Sequence, residues 1–184
     1  MSLVELIAQA DERGLAASGL ACLDRCIPLL GGDDEILRPL WGNLTEDSDA
    51  ADWGELLEQA RGKLGSPSEG GDEAELLARR MLAAAPDDRR AAEVRMWADA
   101  CSVASLQIHR LLDAATDEHP VDARREGRTE GMPPLVAAEL RRQITVLEVL
   151  AGHGASGLRR ALEESTEGRR VLRAVVSRRA RGRR

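Results

Sequence analysis

Residues 147–164 read LEVLAGHGASGLRRALEE, and how this stretch is read decides the fold. Gly152, Gly154 and Gly157 have the G-x-G-x-x-G spacing of a dinucleotide-binding turn. Such a turn needs a strand before it, a helix after it, and an acid about 20 residues on for the ribose. The residues before it, ITVLEVLA, do not behave as a strand. Val136, Leu140, Ile144, Leu147 and Ala151 continue one helical face into the first glycine. The last acid is Glu167, too early for the ribose, and no later segment offers a partner strand. The stretch is therefore a corner between two helices, with Gly152 ending the first in a left-handed conformation and Ser156 capping the second. It is not a hydrolase elbow either, because Leu158 stands where G-x-S-x-G requires glycine.

The composition agrees with a helical chain. Its 184 residues suffice for one ordinary core, contain no Phe or Tyr, and have Trp41, Trp53 and Trp97 as their only aromatics. Ala and Leu dominate the apolar set and favour helices over strands. The expected fold is an all-α bundle of about eight helices without a β-sheet, a single domain over 1–184. It divides into an acidic helical half (1–64), a linker (65–71) and a long-helix core (72–184) with a mobile loop at 118–133 and a basic tail at 178–184.

Apolar spacing and punctuation place the helices. The first runs from Ser2 to about Arg13, ended by Gly14, with Ser2 and Glu5 as a capping box. The second covers Leu15 to Leu30, its last turn shortened by Pro28. A third, capped by Asp33 or Asp34, reaches Trp41. Another stops at Gly65, and one spans Asp72 to Ala85. Pro86 opens the longest, to about Asp117, whose face of Val94, Trp97, Cys101, Ala104, Ile108, Leu111 and Leu112 belongs at the centre of the core. Pro134 starts the next, and a final helix carries Leu158, Leu162, Leu172 and Val175.

Charge is uneven. Residues 1–158 hold 16 cations against 29 acids, and residues 159–184 hold 10 arginines against 3 glutamates. Lys63 is the only lysine, an arginine bias that points to a GC-rich bacterial genome. Arg169, Arg170, Arg173, Arg178 and Arg179 are the candidate partner-binding residues, directed at the protein's own acidic surface, a second copy or an acidic protein. The last fifth of the chain loosely resembles the helix-turn-helix region of bacterial regulators, with Gly168 as turn and Val171 to Arg179 as reading helix. That resemblance implies nucleic-acid binding. Glu163 and Glu164 depart from it where the motif has apolar or small inward residues.

Nothing in the chain forms a catalytic constellation. His109, His119 and His153 lack the spacing that puts two ligands on one helical face. Cys22 and Cys26 share a face but two thiols do not make a zinc site. Three cysteines are too few for a disulfide framework, which fits the cytoplasm. DDEIL at 33–37 resembles the magnesium-holding run of isoprenoid enzymes, but Leu37 replaces the further acid. His153, Ser156, Arg159 and Arg160 surround a helix start and are the candidate anion-binding residues. No cofactor, metal or membrane span is expected. The function expected is a non-catalytic interaction or regulatory module, with nucleic-acid binding as the alternative.

Overall fold

The computed structural model describes residues 1–45, 48–67 and 69–182. Ser68 of the linker and Arg183 and Arg184 of the basic tail lie outside the described residues. Within them the chain is all-α, without strands. Six helices run twelve residues or more: α2 (Glu12–Arg25), α5 (Trp53–Leu64), α6 (Glu73–Ala84), α7 (Ala91–Leu112), α9 (Pro134–His153) and α10 (Leu158–Gly182). Shorter pieces are α1 (Leu3–Gln9), α3 (Ile27–Leu30), α4 (Arg38–Asn43) and α8 (Val121–Arg125). No described helix is long and apolar enough to cross a membrane.

α2 is the hub, with α7, α9 and α10 packed around it. Every residue from Leu15 to Arg25 is buried. Small side chains allow neighbours to close in on it. A Cβ at Gly19 would lie 2.6 Å from the Trp97 ring, so the ring packs directly on the α2 backbone there. Trp97 is held further by its indole N–H, which donates to the Met81 carbonyl (2.9 Å), and by an edge-to-face contact with Trp53 (6.2 Å). The expected α7 face is central: Val94, Trp97, Cys101, Ile108 and Leu112 are buried, and Ala104 and Leu111 half-buried.

Several helix limits differ from those expected, each for an identifiable reason. The first helix ends at Gln9, because the Asp11 carboxylate accepts from Gly14 N–H (2.8 Å) and starts α2. Gly14 is thus inside a helix, not a stop. Asp33 accepts from Glu35 N–H (2.9 Å) in a turn, so the helix toward Trp41 begins only at Arg38. Pro86 does not open α7. Its carbonyl takes the Trp53 indole N–H (2.9 Å), and Arg89 forks onto Glu12 (2.6 and 2.8 Å) while bonding the Asn43 carbonyl (2.9 Å). These ties hold 86–90 out of the helix until Ala91.

α7 in turn stops at Leu112, where Asp113 instead caps α9 by accepting from Leu135 N–H (2.7 Å). The stretch 118–133, read as loop, contains α8 and folds around the buried Arg124. That guanidinium bonds Asp117 (2.6 Å) and the carbonyls of Arg128 (2.9 Å) and Glu130 (2.8 Å).

Candidate functional site

The glycine corner does not take the predicted form. Gly152 is still helical, and the left-handed residue is Gly154 (φ 55°). Ser156 caps nothing: its hydroxyl donates back to the His153 carbonyl (2.7 Å). Gly157 allows the close return, since a Cβ there would lie 2.9 Å from the Val149 carbonyl oxygen. His153, Ser156, Arg159 and Arg160 are all exposed. The two arginines each run along α10 toward an acid, Arg159 to Glu163 and Arg160 to Glu164, both at 3.6 Å.

A constellation that sequence reasoning missed lies under α10. Arg25 of α2 and Glu139 of α9 form a two-pronged ion pair, with Nε and Nη2 each 2.8 Å from a carboxylate oxygen and both side chains fully buried. Ser105 (2.7 Å) and Gln143 (2.8 Å) also donate to Glu139 Oε1, and His109 Nε2 lies 3.5 Å from Oε2. Gln143 accepts from Ser102 (2.6 Å), whose hydroxyl accepts from Arg125 (3.1 Å), and Arg125 reaches Asp99 at the surface. The network thus runs from α2 through α9 and α7 to α8.

Burial alone would raise the Glu139 pKa, but the Arg25 guanidinium, His109 and the donated hydrogen bonds outweigh it and hold the carboxyl at about 2. Burial pushes the His109 pKa down despite Glu139. Burial likewise raises the Cys22 thiol to about 12 and lifts Cys26 and Cys101. These thiols stay protonated, which makes them small apolar side chains rather than nucleophiles. With both Glu139 oxygens taking donors, the arrangement ties four helices together, and Arg25 Nη1 is a buried donor without a hydrogen-bond partner among the described residues. Among the described residues no three His, Cys, Asp or Glu side chains are grouped to hold a metal ion. A readable trace existed: Glu139 and Gln143 interrupt the inward face of α9 at helical spacing.

The arginines of α10 fall into two groups. Arg169 is buried, bonded to Asp24 of α2 and 3.2 Å from Asp34, and Arg173 reaches the same Asp34 (2.7 Å). Asp24 also accepts from the Trp41 indole (3.0 Å). Asp34, one of the paired acids at 33–34, thus receives α10 rather than capping a helix. Arg170 lies 3.5 Å from Glu167 on its own helix, and Arg179 3.9 Å from Asp72. From Ser177 to Gly182 every residue is exposed. α10 is unbroken through Gly168, so the turn of a helix-turn-helix is not formed there. No protein-family model, curated protein or solved structure matches the chain.

Proposed function

We propose that this chain is a non-catalytic protein-interaction module that presents the arginine-bearing end of α10 to an acidic protein surface. One observation carries the reading. α10 is held along its middle by Asp24 and Asp34, and beyond them every residue from Ser177 to Gly182 is exposed, with Arg179 near Asp72 (3.9 Å) and no acid after Glu167. A helix anchored along its middle, with an exposed arginine-bearing end, is a rigid cationic arm, whose binding loses little conformational entropy. The fully buried free cysteines support a reducing compartment such as the cytoplasm.

Nucleic acid is the alternative occupant of the same arm, through phosphates alone, because the unbroken helix at Gly168 removes the reading element. Titrating the full chain with polyglutamate and with duplex DNA at physiological salt separates the two. The expected result is polyglutamate binding that is lost in Arg178→Glu/Arg181→Glu. Tight, sequence-selective duplex binding, or no effect of the reversals, overturns the reading.

A further inference from the structure

Arg25, Arg124, Arg125, Arg142 and Arg169 are buried. Four of them meet a carboxylate: Arg25 has Glu139, Arg124 has Asp117, Arg125 has Asp99 and Arg169 has Asp24. Arg142 of α9, only 7% exposed, has no hydrogen bond or ion pair among the described residues. The charges that act on it are Glu139 and Arg141 on its own helix, Arg25 of α2 and Glu164 of α10. Neither acid lies within ion-pair distance of it. Glu139 takes Arg25, Ser105 and Gln143 and faces His109, and Glu164 lies 3.6 Å from Arg160.

A second spare donor lies beside Arg142. Arg25 commits Nε and Nη2 to Glu139, which leaves Nη1 on the Cδ side of the guanidinium, buried and without a partner among the described residues. Cδ is also the Arg25 atom nearest Gly168, and Arg142 Cδ meets the same glycine from α9. Two cations and one carboxylate are thus packed where α2, α9 and α10 cross, and one positive charge is left over. We propose that Arg142, with Arg25 Nη1 behind it, binds one small monovalent anion of the halide class at this crossing. A buried charge without a counter-charge is strongly destabilising, and the ion supplies that counter-charge. All five N–H donors of Arg142 are unspent, and a halide accepts several at once. The ion enters from solvent at Arg142, since Arg25 is fully buried. One surplus charge selects a monovalent ion, and the close crossing at Gly168 selects a small one.

Thermal unfolding of the full chain tests this, with sodium chloride replacing sodium gluconate at constant ionic strength. Gluconate is too bulky to follow chloride between the helices. At about ten times its dissociation constant, chloride should raise the melting temperature by about 3–6 °C, and the rise should saturate. Arg142→Met should abolish the rise and, having lost the surplus charge, should melt no lower than the parent in gluconate. Arg159→Met, at an exposed position, should keep the rise. Anomalous diffraction from a bromide-soaked crystal should place an ion beside Arg142. The proposal is overturned by a melting temperature indifferent to chloride, or by a rise that persists in Arg142→Met. Bromide found at exposed arginines alone, an adventitious ion only, overturns it too. Equal losses in Arg142→Met and Glu164→Gln in both salts would make Glu164 the partner of Arg142 instead.

Discussion

Gly168 of α10 lies against the Arg25 side chain: a Cβ at Gly168 would come within 2.8 Å of Arg25 Cγ and 3.1 Å of Arg142 Cδ. α10 can therefore cross the Arg25–Glu139 pair only with glycine at this position. In an exposed helix, Gly→Ala stabilises by about 1 kcal/mol. Gly168→Ala is expected to do the reverse and cost about 1–3 kcal/mol, the penalty of overpacking. Urea denaturation checks the sign, and a stabilised variant would mean that Arg25 moves aside freely.

Gly168 also shows how much of the molecule was legible. Its presence in a helical pattern was visible, but a glycine that makes a turn and one that admits a neighbour look alike without the neighbour. The helical class followed from the spacing of Val136 to Ala151, and the α7 core face from Val94 to Leu112, because a periodic apolar face is a local signal. The limit at Pro86 was misplaced because distant groups set it: Arg89 of the 86–90 segment is held by Glu12 and Asn43. At Gly14 the competing signal was close by, the Asp11 cap, and glycine inside a helix looks like glycine that ends one. The Arg25–Glu139 pair joins residues 114 positions apart, and no local pattern couples them.

Removing one member of that pair should be far worse than removing both. Arg25→Met leaves the Glu139 carboxylate buried without its cation, at an expected cost of about 3–5 kcal/mol. Arg25→Met/Glu139→Leu removes the stranded charge and should recover a large part of that loss. Equal destabilisation of the single and double variants in denaturant would show that shape, not charge, governs the site.

Stability should fall on the acid side in two stages. His109 has a folded pKa below its ordinary 6.5, chiefly through burial, so its contribution is full above 6.5 and is lost as pH falls beneath it. Glu139 follows between 4.5 and about 2. Asp24 runs the other way. Burial raises its carboxyl despite Arg169, so its protonation favours the folded state and offsets part of the second stage. His109→Gln should abolish the first stage and leave the second, as read by melting temperature from pH 7 to pH 2. An unchanged first stage in that variant would assign it elsewhere.

Trp97 joins three helices by packing on Gly19, stacking edge-on with Trp53 and bonding to Met81. Trp97→Ala should cost about 3–5 kcal/mol, as large aromatic truncations in cores do. Thermal unfolding measures it, and a shift within error would remove α7 from the centre of the core.

The arginines of α10 should separate by stability as they do by position. Arg169 is 8% exposed at its side chain, and its loss strands Asp24 in a site that is 3% exposed. Arg169→Ala is therefore expected to cost about 3 kcal/mol or more. Arg173 meets Asp34 with both side chains 44% exposed, so Arg173→Ala should cost about 0–1 kcal/mol, less at high salt. Arg178→Ala and Arg181→Ala, on the bare end, should stay within about 0.5 kcal/mol of the parent. Denaturant titrations at low and high salt give the ranking. If Arg178 or Arg181 proved as costly as Arg169, the end of α10 would be holding the fold together, and it would not be the free arm that partner binding requires.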